Sequence, residues 1–153
     1  MKARSSSLIH VVFPSSSRPL NTGKIRISNT ITIQTFSDLM PHDLLRGAVK
    51  GTLSRTGVDP KDIDYAIGGT VIMEVKTSNV MREACLGAGV PISTPAHTVT
   101  MACISSNQAV TSGMGYIAAG AADLVLCGGV ETMSDVPIRH SRVMRKHMLE
   151  KVS

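Results

Sequence analysis

The sequence predicts an α/β fold with a mostly parallel, mixed sheet. Three observations lead to this prediction. From about residue 41 onward, strand-like runs alternate with segments whose apolar residues recur at helical spacing. Residues 63–73 and 124–130 have the composition of strands and are bounded by turn residues. The β-branched and apolar run at 98–101 is followed, after a turn that contains Cys103, by a helical pattern from Ile104 onward. Strands that alternate with helices in this way favour parallel pairing.

Local signals place the helices. The first predicted helix covers residues 41–55, because its proline suits a first helical turn and Gly57 can end it in a left-handed conformation. An asparagine is expected to cap the second helix, which runs through residues 79–88. The third predicted helix covers residues 104–119. Its side chains are so small that we expect it to be buried on several sides.

Composition and charge exclude several classes of protein. Basic side chains are concentrated at the two ends of the chain, since residues 38–137 hold 6 basic and 10 acidic side chains while residues 138–153 hold 5 and 1. Residues 1–37 hold five basic and no acidic side chains, and the remaining 116 hold 11 of each, so no general nucleic-acid surface is expected. Three cysteines without paired spacing argue against a disulfide framework and against a zinc or iron–sulfur site. No apolar run approaches the ~20 residues of a membrane span.

Residues 1–37 have the composition of a mitochondrial transit peptide. They are rich in serine and in basic residues, and they contain Pro14 and Pro19. A disordered N-terminal tail would share most of these features. Within this segment, residues 25–33 alternate well enough to form a strand, whereas residues 15–22 do not resemble a buried strand.

Cys103 is the candidate nucleophile. It is predicted to lie at a strand-to-helix turn, where the free N–H groups and the positive end of a helix dipole favour a thiolate, the form that attacks an acyl carbon. The alternative is a small buried hydrophobic residue, as most free cysteines are. Cys85 and Cys127 lie inside helical and strand-like runs and are interpreted as packing residues.

The segments around Cys103 resemble a known family. HTVTMACISSNQAV and LCGGVETMSDVPIRHSR are similar to the nucleophile segment and the glycine-rich strand of the thiolases, and the likeness extends from about Asp38 to Lys151. Within that family the chain resembles the long-chain 3-ketoacyl-CoA thiolases that occur as β subunits of mitochondrial trifunctional proteins. The resemblance implies a thiolase-like N-terminal half over residues 38–136, a buried helix after the nucleophile, and Cys103 as the residue that accepts the acyl group as a thioester.

The resemblance also implies an activity and a place in the cell. It implies thiolytic cleavage of 3-ketoacyl-CoA by coenzyme A in fatty-acid β-oxidation, with coenzyme A as a substrate, no permanently bound cofactor and no metal. It implies a mitochondrial matrix enzyme at the inner membrane, which forms a homodimer and joins a hydratase/dehydrogenase α subunit. The residues that bind coenzyme A are not identified. Thiolases open with a strand that ends in a Gly-Val-Arg-Thr-Pro-Phe-like turn, of which only Ile25 and Arg26 are matched here.

Three motifs of the family's mechanism are not found in these 153 residues. They are a Gly-His-Pro histidine that activates the nucleophile, a second cysteine that moves the α-carbon proton, and an Asn- or His-Glu-Ala-Phe segment at the oxyanion hole. The N-terminal half would then be incomplete as a catalyst. An inactive truncated thiolase-like fragment is therefore one alternative, and a ketoacyl synthase-like condensing enzyme is another.

The remaining candidates are weaker. His97 would lie roughly 20 Å from Cys103 along an extended strand and is expected to be structural. His42 is expected at a solvated or capping position, and Glu74 and Glu83 are expected to be surface or ion-pair residues. Residues 137–153 are basic with interleaved apolar side chains, and the resemblance implies that they begin a loop domain. Within them, residues 138–151 suggest contact with an anionic membrane surface or with the phosphates of coenzyme A, or else an amphipathic helix packed on its own domain.

Overall fold

The computed structural model describes residues 4–12, 27–32, 39–133 and 140–151. The strands are β1 (Arg4–Val12), β2 (Ile27–Thr32), β3 (Tyr65–Gly69), β4 (Ala96–Val99) and β5 (Val125–Thr132). The α-helices are α1 (Pro41–Thr56), α2 (Val80–Ala88), α3 (Ser105–Ala118) and α4 (Arg142–Glu150). In these described ranges, none of the helices has the length and apolar character needed to cross a bilayer.

One mixed sheet contains all five of these strands, in the order β2-β1-β5-β3-β4. Strand β3 pairs in parallel with both β4 and β5, whereas β1 pairs antiparallel with β5 and with β2. The predicted α/β class with parallel strands is confirmed. Strand β2 lies inside the predicted run at 25–33, but β1 was not predicted. Its segment belongs to the proposed transit peptide, which stays a prediction, and residues 13–26 lie outside the described residues.

The helix ends lie where local signals placed them. Helix α1 has Pro41 in its first turn, and Gly57 follows it with φ of 68°. The side chain of Asn79 accepts a hydrogen bond from the Arg82 N–H at the start of α2, and Gly89 ends that helix with φ of 93°. Glycine adopts these left-handed conformations without a steric penalty, so it stops a helix cleanly.

The sheet lies between two helical layers. Helices α1 and α2 pack together on one face, and α3 packs on the other. Successive strand residues point to opposite faces, so Leu126 joins the core under α1 and α2 while Val125 and Cys127 join the core under α3. This alternation gives each helical layer its own apolar surface.

Two predictions about burial are corrected by the structure. Helix α3 is buried along one side through Ser105, Ala109 and Gly113, while Asn107 and Thr111 on its other side are exposed. The expected burial on several sides is therefore wrong for the described residues. Every described residue from 140 to 151 is exposed, so α4 is not buried against its own domain as one alternative required. Residues 137–139 lie outside the described residues.

Candidate active site at Cys103

Cys103 lies in the turn between β4 and α3, beside the carboxyl ends of the parallel strands β3 and β5. Ligands of open α/β sheets characteristically bind at this edge. The thiol of Cys103 is exposed, whereas Cys85 and Cys127 are buried. Burial raises the pKa of each of these two thiols to about 12, against a slight lowering from Arg82 for Cys85 and from the Gly113 backbone for Cys127. Both buried thiols are thus protonated packing groups, as the sequence predicted.

A strained turn presents Cys103. Ala102 has φ of 45°, in the left-handed region that side chains other than glycine seldom adopt. The Ile104 N–H donates to the Met101 carbonyl, and the Ser105 N–H donates to the Ala102 carbonyl. These two bonds close the chain into a tight turn directly before α3, so the strand bends and the helix begins within a few residues.

The hydroxyl of Ser105 stabilises this turn from inside. It accepts from the Met101 N–H at 2.8 Å and donates to the Ala102 carbonyl at 2.6 Å. Because Ser105 is buried, water competes little for the groups that form these hydrogen bonds. One side chain therefore holds both the strained residue Ala102 and the residue before it. Strain of this kind persists only where the surroundings over-determine it.

Two glycines allow α3 to begin directly on the sheet. Gly69 of β3 is paired with Gly129 of β5. A Cβ atom on Gly69 would overlap the backbone of Ser105 and Ser106, and one on Gly129 would overlap the Ser106 hydroxyl and lie 2.6 Å from the Gly69 carbonyl oxygen. A glycine pair inside a strand, such as Gly68-Gly69, indicates either a bulge or a close backbone approach, and at Gly69 the structure shows the close approach. This approach brings Cys103 to the edge of the sheet.

The same elements enclose a cavity of about 280 Å³ beside Cys103. Most of its lining is small or apolar, and its polar groups come from Thr70, from the turn, from α3 and from Glu131. The lining residues are Gly69, Thr70, Val71, Ile72, Ala102, Cys103, Ser105, Ser106, Gly129, Val130, Glu131 and Met133. Such a cavity can admit an apolar acyl group to the thiol while a few polar groups orient it.

Glu131 is the lining residue that sequence reasoning missed. Its carboxylate accepts hydrogen bonds from the backbone N–H groups of Val71 and Ile72, at 2.7 and 3.3 Å. The only signal in the sequence was an acidic residue directly after an apolar strand. That signal does not identify a partner about sixty positions away.

The other candidates lie elsewhere. The Nδ1 atom of His97 lies 3.2 Å from the Tyr65 hydroxyl oxygen, and the two rings stand edge to face. These contacts fit the structural role expected of His97. Hydrogen bonding with Tyr116, together with burial, raises the pKa of Tyr65 above its usual value. His42 lies 3.8 Å from Asp43 near the start of α1. None of these residues lines the Cys103 cavity.

The basic helix α4 has a separate groove. Arg142, Arg145, Lys146, Leu149 and Glu150 line it. Lys146 and His147 each lie within 4 Å of the Glu150 carboxylate, at 3.8 and 3.5 Å. The described residues contain no group of three or more histidine, cysteine, aspartate or glutamate side chains that could hold a metal ion.

Comparison with known proteins identifies relatives over most of the chain. The family model described as "Thiolase, N-terminal domain" matches residues 24–153. The mouse protein "Trifunctional enzyme subunit beta, mitochondrial" is 64% identical over 127 residues, which is 82% of this chain and 26% of that protein. A Caenorhabditis elegans protein named "Probable 3-ketoacyl-CoA thiolase" is 51% identical over 125 residues, or 82% of this chain and 28% of that protein.

A solved structure shares the fold. The crystal structure of the Bacillus anthracis acetyl-CoA acetyltransferase superposes with a TM-score of 0.68 and 26% sequence identity, covering 94% of this chain and 33% of that one. The chain spans about a quarter of the length of the curated relatives that it matches.

Proposed function

Because this chain belongs to the thiolase family through its N-terminal domain, we propose that it carries the nucleophile of a 3-ketoacyl-CoA thiolase. The reaction is thiolytic cleavage of 3-ketoacyl-CoA by coenzyme A, a step of fatty-acid β-oxidation. Coenzyme A takes part as a substrate. The acyl group passes through a thioester on the Sγ atom of Cys103.

The chemistry of Cys103 follows from the reactivity of a thiolate. Its Sγ atom attacks the 3-keto carbon, and the bond between C2 and C3 then breaks. The electron pair of that bond remains on the departing acetyl-CoA carbanion, which takes up a proton at C2. The thiol of a second coenzyme A molecule next attacks the thioester, loses its proton and releases the shortened acyl-CoA. Cys103 is thereby regenerated as a thiolate.

One observation carries the proposal: the exposed thiol of Cys103 stands in a cavity at the carboxyl edge of two parallel strands. Cys85 and Cys127 are buried with a pKa of about 12, so neither can serve as the nucleophile. The relatives' names, which include thiolase and trifunctional enzyme subunit beta, support the same reaction.

We propose that the general base that takes the proton of Cys103 is not one of the residues that line the cavity. No histidine is among the residues that line the Cys103 cavity in the described part of the chain. Proton transfer to and from a nucleophile commonly uses a histidine within hydrogen-bonding reach.

The location of the enzyme, its protein partners and its contact with lipid are proposed from the names of the relatives and from the exposed helix α4. Several relatives are named as mitochondrial beta subunits of a trifunctional enzyme, which supports a mitochondrial location and an α-subunit partner. The homodimer is proposed on the resemblance to the thiolase family alone. The exposed α4 carries Arg142, Arg145 and Lys146 beside Val143 and Met144, which supports contact with anionic lipid at the inner membrane.

Intact-protein mass spectrometry tests the nucleophile. The full chain is mixed with acetyl-CoA or a 3-ketoacyl-CoA, and the wild type is compared with Cys103→Ser. The expected result is an acyl adduct that peptide mapping assigns to Cys103 and that is lost in C103S. Cys85→Ala is the matched control and should retain the adduct, because Cys85 is buried in another part of the core.

A folded wild-type sample without an adduct would contradict the nucleophilic step in this chain. It would favour the alternative, an inactive thiolase-like fragment. Circular dichroism on the same sample verifies that the chain is folded.

A further inference from the structure

Glu131 lies where the sheet stops supplying hydrogen bonds to the chain after β3. The parallel pairing of β3 with β5 ends at Gly69 and Gly129. Two residues farther along β5, the carboxylate of Glu131 bonds to the N–H groups of Val71 and Ile72. The side chain therefore continues, over two residues, the role that the β5 backbone has in the sheet.

These bonds are of a strong kind. An ionised carboxylate that accepts from backbone N–H groups forms charge-assisted hydrogen bonds, which are shorter and stronger than neutral ones. The bond to Val71 is 2.7 Å long. The other end of this segment is also fixed, since the Thr70 N–H donates to the Val99 carbonyl and the Thr100 hydroxyl donates to the Thr70 carbonyl.

The residues that Glu131 holds form part of the Cys103 cavity. Thr70, Val71 and Ile72 line it together with Cys103 and with Glu131 itself. Val71 is 42% exposed and belongs to neither core cluster of the described residues, so apolar burial alone does not fix its position. The carboxylate of Glu131 reaches this segment from β5 through two hydrogen bonds.

We propose that Glu131 is a positioning residue that holds residues 70–72 as a wall of the Cys103 cavity and so sets how an acyl thioester approaches Sγ. The proposal rests on the proposed function of Cys103 as the acyl acceptor. Glu131 itself takes no part in bond making. It acts through the backbone of Val71 and Ile72.

The test compares wild type with Glu131→Gln and Glu131→Ala in the full chain. Glu131→Ala removes both acceptors, while Glu131→Gln retains one carbonyl oxygen and loses the charge. Amide hydrogen exchange at Val71 and Ile72 should speed up about tenfold or more in E131A, and less in E131Q. The concentration of a 3-ketoacyl-CoA that half-saturates Cys103 acylation should rise in the same order, with little change in the limiting rate.

Alkylation by iodoacetamide distinguishes a displacement of residues 70–72 from unfolding of the chain. This small reagent should label Cys103 at a similar rate in all variants, because the thiol is already exposed. Unfolding would instead expose Cys85 and Cys127 to the reagent. A change in labelling at those two buried thiols would therefore identify a purely structural effect and overturn the positioning role.

Glu74→Gln is the matched control. Glu74 follows the same segment and also accepts from a backbone N–H, that of Val75, but it does not line the cavity. E74Q should leave the exchange at Val71 and Ile72 and the acylation of Cys103 unchanged.

The outcomes distinguish the two proposals. If the wild type is acylated while E131A leaves both the amide exchange and the half-saturating concentration unchanged, the role of Glu131 is overturned. If the wild type accepts no acyl group but E131A still speeds exchange at Val71 and Ile72, the proposed function fails and the wall assigned to Glu131 is supported.

Discussion

Replacing Gly69 with alanine should lift the start of α3 away from the sheet. An alanine Cβ would overlap the backbone of Ser105 and Ser106, and it would lie 2.6 Å from the Ser105 carbonyl oxygen. Ordinary contacts of this kind need ~3.5 Å, so the first turn of α3 would have to move by about 1 Å. The obstacle is backbone, so a change of side-chain rotamer cannot relieve it. Overpacking of this type costs about 1–3 kcal/mol.

The same displacement should alter the reactivity of Cys103. The nucleophile turn is joined to α3 through Ser105, so a shift of the helix start disturbs the bonds to Met101 and Ala102. Urea denaturation followed by circular dichroism measures the loss of stability. The rate of Cys103 alkylation, mapped by mass spectrometry, measures the change at the turn.

Gly115→Ala provides the comparison for this prediction. Gly115 lies in α3, and no atom outside its two chain neighbours and the nearby backbone of that helix lies within 4 Å of a Cβ built on it. Alanine in a helix interior is favoured over glycine by about 0.5–1 kcal/mol, so G115A should be more stable than wild type. If G69A and G115A unfold at the same urea concentration, and alkylation of Cys103 is the same in both, then the close approach of α3 to β3 does not position the nucleophile.

Three further predictions concern the turn and the core. Ser105→Ala leaves the Met101 N–H without its acceptor, which should lower the free energy of unfolding by about 1–3 kcal/mol in urea denaturation and slow acylation of Cys103. Gly113→Ala places a Cβ 2.5 Å from the Cys127 Sγ atom and should destabilise the chain by about 1–3 kcal/mol in the same assay, while an unchanged midpoint would contradict the packing. The unfolded chain loses the protons of Cys85 and Cys127 above about pH 9, whereas the native chain retains them to about pH 12. The free energy of unfolding should therefore fall through this window by about 1.4 kcal/mol per pH unit for each thiol, and C85A should reduce that slope.

The parts of the fold that the sequence predicted correctly depend on neighbouring residues. Pro41 and Gly57 mark the ends of α1, and Asn79 and Gly89 mark those of α2, because capping and left-handed stops act within one turn of the helix. The position of Cys103 before α3 was predicted for the same reason, since a change of periodicity is visible in the sequence.

Strand ends were predicted less well because they depend on pairing between distant segments. The predicted strand at 98–101 lies two residues earlier, as β4. Its pairing with β3 ends at Val99, and the residues that follow enter the turn around Ala102. Strand β1 was missed since its residues pair with β5, more than a hundred positions away. Composition alone had assigned that segment to targeting.

The cavity beside Cys103 lies at the end of the parallel strand pairing, where side chains instead of neighbouring strands accept hydrogen bonds from the backbone. Past Gly69 and Gly129 the parallel ladder ends, and the backbone N–H groups beyond it need other acceptors. Ser105 supplies one for the nucleophile turn, and Glu131 supplies two for the segment after β3. The glycines create the space, and these two polar side chains determine the shape of the chain around it. Substitutions at Ser105 and Glu131 should therefore change how the site reacts more than substitutions of the apolar lining, since the latter change its volume without releasing the backbone.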